Sequence, residues 1–108
     1  MAQKLNLVID QGTTYTTSFI VNGDNGAPLD ISNYTINSQI RKTYTSSTYV
    51  AFGTAGSNAG VITLTLSSNV TNSLAAGRYV YDVEMVTPAN VTSRVIEGIV
   101  TVTPQVTR

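Results

Sequence analysis

Apolar and polar residues alternate with a period of two along most of this chain. The clearest case is residues 77–86, GRYVYDVEMV, in which one parity carries aromatic and aliphatic side chains: Tyr79, Tyr81, Val83 and Met85. The other parity is largely polar and includes Asp82 and Glu84. Because successive side chains of a strand point to opposite faces, this pattern predicts a β-strand with one buried face.

The same period predicts further strands, separated by turns that contain glycine, proline or asparagine. They cover residues 4–9, 13–22, 34–42, 49–52, 61–66 and 91–103. The predicted inner faces carry Leu5, Leu7 and Ile9, then Tyr15, Phe19 and Val21, then Tyr34, Ile36, Ser38 and Ile40, then Ile62, Leu64 and Leu66, and finally Ile96, Gly98, Val100 and Val102. Residues 53–60 are predicted to be a flexible, glycine-rich connection.

Two short connections have a predicted local structure. Ser68 is expected to cap a single helical turn whose Val70 and Leu74 lie four residues apart on the core side. Residues 87–90, TPAN, are expected to form a tight hairpin that pairs Val86 with Val91. That register would place Tyr81 opposite Ile96.

A bend at residues 74–77 leads into the strand of residues 77–86. Tyr79 stands near the start of this strand, where a tyrosine corner uses its hydroxyl to hold the preceding bend, and we assign Gly77 and Tyr79 as a structural corner. The strand spacing and this corner predict one domain over residues 1–108, with a short C-terminal tail. Its fold class is an immunoglobulin-like antiparallel β-sandwich of about seven strands with one short helical turn. A small closed barrel is the alternative.

Composition indicates what covers the outer faces of these strands. Charged residues make up 11% of the chain, the formal net charge is zero, and threonine fills 17 of the 108 positions. Nucleic acids and anionic membranes attract clustered lysine and arginine, so a neutral, threonine-rich surface predicts neither as a partner. Residues 1–10 are expected to be too short and polar for a signal peptide or a membrane span.

The chain lacks the side chains that most enzymes use. It contains no histidine and no cysteine, which removes the commonest general base, the usual nucleophilic triads and thiolate metal sites. Asp82 and Glu84 share a strand face, and we interpret them as a solvated charge pair beside Arg94 or Arg78. The loop around Asp24 lacks the ligand spacing of a calcium site. We expect no enzymatic activity, no catalytic or metal site, and no cofactor.

Residues 43–52, TYTSSTYVAF, are β-prone and uncharged. They lack the lysine and proline that usually protect an edge strand from pairing. We predict a partner-docking edge carried by Tyr44, Thr48, Tyr49, Val50 and Phe52, with an ordinary loop as the alternative. The aromatic residues of this set would also suit a stacking platform for a carbohydrate or host receptor.

Three segments resemble a family of small virion proteins of tailed bacteriophages: residues 10–12 (DQG), 76–82 (AGRYVYD) and 97–102 (EGIVTV). The family includes the immunoglobulin-like domain at the N-terminus of phage baseplate upper proteins and short stand-alone structural proteins of cyanophages. The likeness covers most of the chain, although residues 43–60 show no match.

The resemblance implies a sandwich that is made in the host cytoplasm and docks onto other virion proteins, as a homo-oligomer or in many symmetric copies, and without a catalytic site. An adaptor of the tail, baseplate or neck is the expected role, and capsid decoration is the alternative. Because the sequence ends at Arg108, we expect it to lack a trimerising stalk and a receptor-binding tip.

Overall fold

A computed structural model describes residues 3–22, 26–27 and 29–106 of the chain. This part forms strands joined by short connections and one short helix. The elements are β1 (Gln3–Lys4), β2 (Leu7–Asp10), β3 (Tyr15–Ile20), β4 (Thr35–Arg41), β5 (Val50–Ala51), β6 (Gly53–Gly56), β7 (Val61–Leu66), α1 (Ser68–Ser73), β8 (Gly77–Val86) and β9 (Thr92–Thr103). The loop position Asp24, considered above for calcium, lies outside the described residues.

The strands form two separate sheets. The larger sheet has the order β1-β9-β8-β4-β5, with β2 also paired to β9, and the smaller sheet has the order β3-β7-β6. All pairings are antiparallel except those of β1 and β2, which run parallel to β9. This is the strand order of an immunoglobulin-like sandwich whose first strands pair with the last one, so the predicted fold class is confirmed. Because the described strands form two distinct sheets, they do not form the closed barrel that was the alternative.

The inner faces of the two sheets share one hydrophobic core. Its fully buried aliphatic side chains are Ile9, Ile31, Ile40, Ile62, Leu64, Val83, Val100 and Val102. All but Ile31, which lies in the connection before β4, belong to the parity predicted to face inward. Since full burial of one such side chain is worth roughly 1.5–3 kcal/mol, this parity fixes which face of each strand points to the core.

The predicted first strand is broken between β1 and β2, and Leu5 lies in the break with 38% of its surface exposed rather than in the core. The Leu5 N–H donates to Glu97 O at 2.9 Å. The Leu5 carbonyl oxygen accepts a hydrogen bond of 2.6 Å from the Tyr81 hydroxyl. A β-carbon on Gly98 would lie 2.0 Å from this carbonyl oxygen. Gly98 is therefore required, because the N-terminal chain crosses directly over it.

The predicted register of the β8–β9 hairpin is wrong. Val86 pairs with Thr92 rather than Val91, and the ladder shifts after Val83, which pairs with Ile96. The shift leaves Val95 as an extra residue, as in a β-bulge. Without it, Val95 would have faced the core opposite Val83, so the bulge returns Ile96 to the inner face.

Two connections also differ from the prediction. Gly53–Gly56, expected to be part of a flexible connection, forms β6, and the Thr54 hydroxyl ties it to Ile36 O at 2.8 Å. The helix cap is Ser67 rather than Ser68, because the Ser67 side chain accepts from the backbone N–H of the first turn. This shift turns Thr71 inward, where it is fully buried and donates its hydroxyl to a backbone carbonyl.

Tyr79 makes the predicted corner. Its hydroxyl donates to Ala75 O at 2.6 Å, across the bend that precedes β8. Gly77 has a φ of 140°, a backbone angle that residues with a β-carbon rarely adopt. The ring is half-buried rather than buried, and the Lys42 ammonium group lies 4.8 Å from its centroid.

We expect Tyr79→Phe to lower the free energy of unfolding by about 1 kcal/mol, because it removes one intramolecular hydrogen bond and leaves the ring in place. Denaturant titration followed by circular dichroism measures this loss. Tyr44→Phe is the matched control, since that side chain is 75% exposed and its hydroxyl has no partner in the described part of the chain. Equal losses in the two variants would contradict the corner.

A second prediction concerns alkaline pH. Burial raises the pKa of the Tyr81 hydroxyl far above its ordinary value of 10.0, and the nearby Tyr15 raises it further. The folded state therefore keeps this hydroxyl protonated at a pH where the unfolded chain ionises. We expect the free energy of unfolding to be steady up to about pH 9 and to fall as the pH rises past about 10.

Denaturant titrations at a series of pH values test this expectation. In Tyr81→Phe the alkaline fall should be smaller, although the variant is less stable at neutral pH because Leu5 O loses its donor. An alkaline fall of the same size in both proteins would show that another group is responsible.

Candidate functional site

The predicted docking segment, residues 43–52, is a loop that ends in a very short strand. The Arg41 side chain donates from Nη1 to Ser46 O at 2.5 Å, which folds the loop back towards β4. Only Val50–Ala51 pairs with β4. An edge of two residues offers few backbone groups for the addition of a partner strand.

The predicted docking residues differ in how far they reach the surface. Tyr44 and Tyr49 are 75% and 53% exposed. Thr48 is exposed and Val50 is half-buried. The Arg41 guanidinium lies 4.9 Å from the Tyr49 ring centroid, so this ring already has a cation as a neighbour.

Phe52 was wrongly assigned to the docking edge and to the stacking platform. Its side chain is 6% exposed. The chain passes from the larger to the smaller sheet at this residue, between β5 and β6, and its N–H donates to Ser38 O at 3.0 Å. The ring therefore falls between the sheets, where it meets Tyr81 edge-on with the ring centroids 6.3 Å apart.

Among the described strands, the longest unprotected edge belongs to β3. This strand pairs with β7 on one side, and no strand of the described residues pairs with its other side. Its six residues, YTTSFI, include no charge, proline or glycine, whereas the opposite edge of the same sheet, β6, has four residues with a glycine at each end. We call the unpaired side of β3 the open edge. Sequence reasoning missed it, although residues 13–22 lack lysine and proline just as residues 43–52 do.

Backbone geometry shows which groups the open edge presents. The Val21 N–H donates to Gly60 O at 2.7 Å, on the β7 side. The β3–β7 ladder has no register shift, so backbone groups alternate regularly between the two sides of β3. The N–H and C=O groups of Thr16, Ser18 and Ile20 consequently point away from β7, into solvent.

The core is less complete beside the open edge. Tyr15 and Phe19 pack against the core but are only half-buried. At the end of β3 a cavity of about 320 Å³ opens between Ile20 and the strands of the larger sheet, near Ile96.

A second feature lies on the outer face of the larger sheet. There β4, β8, β9 and the loop after β4 surround a polar cavity of about 300 Å³, which we call the outer-face cleft. Its polar lining includes Asn37, Gln39, Tyr44, Asp82, Glu84 and Arg94.

The carboxylates of the cleft are arranged around one arginine. Arg94 lies 3.3 Å from an Asp82 oxygen and 3.6 Å from a Glu97 oxygen. The predicted charge pair beside Arg94 is thus present for Asp82, whereas Glu84 faces Arg94 across the ladder without an ion pair among the described residues. Since these side chains are partly exposed, each ion pair contributes at most about 1 kcal/mol to stability.

Among the described residues, no group of three or more histidine, cysteine, aspartate or glutamate side chains is placed to hold a metal ion. Where the structure describes the chain, none of its helices has the length and apolar character needed to cross a membrane.

No family model matches the chain, and no curated protein matches it. Similar solved structures include an internalin-like protein of Listeria monocytogenes, with 18% identity and a TM-score of 0.49 over 94% of this chain. This chain spans 28% of that protein's length.

Two further similar structures are murine CRIg and a family 123 glycoside hydrolase from Clostridium perfringens. CRIg has 10% identity and a TM-score of 0.43, with 93% of this chain and 92% of CRIg covered. The hydrolase has 12% identity and a TM-score of 0.42, with 97% of this chain and 23% of the hydrolase covered. Similarity at this level carries no information about binding or activity.

The placement of Phe52 leads to a stability prediction. Phe52→Ala should lower the free energy of unfolding by about 3–5 kcal/mol, because it leaves a cavity between the sheets. Tyr49→Ala, the control in the same segment, should cost about 1 kcal/mol or less, the value of an exposed cation–π contact. Denaturant titration compares the two, and a Phe52→Ala loss as small as that of Tyr49→Ala would place Phe52 outside the core.

Proposed function

We propose that this chain is a non-enzymatic structural protein of a tailed-phage virion, an adaptor of the tail, baseplate or neck. In this proposal it docks onto neighbouring virion proteins by strand addition. The open edge of β3 is the observation that supports docking by strand addition. The virion assignment rests on the sequence resemblance of residues 10–12, 76–82 and 97–102.

Strand addition suits the geometry of the open edge. The outward N–H and C=O groups of Thr16, Ser18 and Ile20 match those of a partner strand, and each hydrogen bond formed is worth about 0.5–1.5 kcal/mol net. Their side chains lie on the exposed face, where Ile20 is 64% exposed. Apolar contacts to Ile20 and to the half-buried rings of Tyr15 and Phe19 would add to the affinity.

The electrostatics of the chain support packing in many copies. The formal net charge is zero and only 11% of residues are charged. Neighbouring copies therefore experience little charge repulsion, which otherwise keeps β-proteins apart. β3 also lacks the lysine that commonly blocks edge pairing.

A proline substitution at the open edge tests the docking mode. The Ser18 N–H points away from β7, so Ser18→Pro removes no hydrogen bond between described residues but blocks the central donor of the open edge. We expect this variant to fold with a melting temperature near that of the wild type and to be depleted from purified particles. Particles come from a phage that carries the variant gene, and mass spectrometry measures their content of this chain.

Two further variants sharpen the comparison. Thr17→Pro is the matched control, since the Thr17 N–H points towards β7 and its loss should destabilise the isolated domain. Ser18→Lys keeps the backbone donor and adds a charge that discourages pairing, so it should also be depleted from particles. Wild-type incorporation of both Ser18 variants would refute docking at the open edge.

The same particles test the virion role itself. Absence of the wild-type chain from purified virions would refute it. Fractionation into capsids and tails separates the adaptor from capsid decoration, since the adaptor must be recovered with tails, baseplates or necks.

A further inference from the structure

The outer-face cleft concentrates the few charges of this chain. The sequence holds 12 charged residues in all, six of each sign. Arg41, Asp82, Glu84 and Arg94 line this single cleft, and Glu97 is ion-paired to Arg94 beside it. In a chain whose surface is mostly threonine, serine and asparagine, this is a pronounced local grouping.

The charges in the cleft lining balance one another. Two guanidinium groups, of Arg41 and Arg94, face two carboxylates, of Asp82 and Glu84. The cleft is therefore highly polar yet close to neutral. A phosphate-bearing ligand needs a clear excess of positive charge, and this lining does not provide one.

Several hydrogen-bonding groups of the cleft have no partner within the described chain. Asn37 and Glu84 stand opposite each other on β4 and β8, and neither side chain makes a hydrogen bond or ion pair with a described residue. The Gln39 side-chain oxygen Oε1 accepts from Arg41 Nη2 at 3.0 Å, which leaves the Gln39 side-chain nitrogen Nε2 as a donor. Together these groups offer both donors and acceptors on one rigid sheet face.

An aromatic ring stands at the wall of the cleft. Tyr44 lines it and is 75% exposed, so most of the side chain is accessible to a ligand. The loop that carries Tyr44 is held against β4 by the hydrogen bond between Arg41 and Ser46 O. The ring is thus held beside the polar groups of the sheet.

We propose that the outer-face cleft is a binding site for a neutral saccharide. Sugar hydroxyls both donate and accept hydrogen bonds, and Glu84, Asn37 and Gln39 supply the complementary groups. The apolar C–H face of a pyranose ring packs on Tyr44. A neutral ligand fits a cleft whose charges cancel. This site lies on the larger sheet and does not depend on docking at the open edge of the smaller one.

The test titrates the isotope-labelled chain with neutral oligosaccharides and follows its amide signals by NMR. The probes are chitohexaose, cellohexaose, maltohexaose and a mannohexaose, each raised to millimolar concentration. Inorganic phosphate, an acidic hexapeptide and a basic hexapeptide serve as charged comparisons. We expect at least one neutral oligosaccharide to shift amide signals of β4, β8 and the Tyr44 loop in a saturable manner, and the charged probes to leave them unchanged.

Single substitutions assign the site. Glu84→Gln should weaken the binding of the active oligosaccharide about tenfold, as expected for the loss of a charge-assisted hydrogen bond. Tyr44→Ala and Asn37→Ala should also weaken it. Asn69→Ala, on the exposed face of α1, is the matched control and should bind as the wild type does.

The other outcomes overturn the proposal. Saturable shifts with phosphate or with either peptide, but with no neutral saccharide, would show a different ligand class. No shift with any probe, in a chain whose spectrum shows a folded domain, would show that the cleft is a solvated polar surface. Saccharide binding that survives Glu84→Gln, Asn37→Ala and Tyr44→Ala unchanged would place the site elsewhere.

Discussion

The hydrogen bond from the Tyr81 hydroxyl to Leu5 O fixes the crossing between the two N-terminal strands, β1 and β2, which both pair with β9. At this crossing the backbone at Leu5 passes directly over Gly98. Gly98 is the one position of β9 without a side chain, which permits so close an approach. Tyr81 is buried, so its hydroxyl needs a partner, and Leu5 O supplies it. This contact holds β1 and β2 on β9 and completes the larger sheet. The smaller sheet is left with three strands because no N-terminal strand pairs with β3.

The open edge and the outer-face cleft therefore have different structural origins. The open edge exists because the N-terminal strands β1 and β2 pair with β9 and not with β3. The groups that it presents are backbone N–H and C=O groups. The outer-face cleft arises from the side chains of β4 and β8, which alternate outward while their neighbours fill the core. Since the two features belong to different sheets, a partner strand on β3 leaves the cleft accessible. One small domain thus presents the open edge and the outer-face cleft on different sheets.

Much of the fold follows from alternation alone, because burial of the apolar parity dominates the energetics of a sheet. The inner faces of β4, β7 and β8 and the corner at Tyr79 could be predicted in this way. Which strands pair with each other could not be predicted, since alternation shows which face of a strand is buried but not which strand lies beside it. Residues 13–22 and 43–52 look equally unprotected as sequences, but the first contain a six-residue edge strand, whereas only two residues of the second pair with β4. Phe52 was misplaced for a related reason, because a change of sheet leaves no signal in the local pattern.

The parallel pairing of β2 with β9 also determines how the domain responds to mechanical force. These strands lie close to opposite ends of the described chain and run side by side in the same direction. A pull that separates the β1 end from the β9 end therefore slides the two strands past each other. Their backbone hydrogen bonds are loaded together, in shear, rather than opened one after another as in a peeled hairpin. Tension applied between the two ends is therefore resisted by several backbone hydrogen bonds at once.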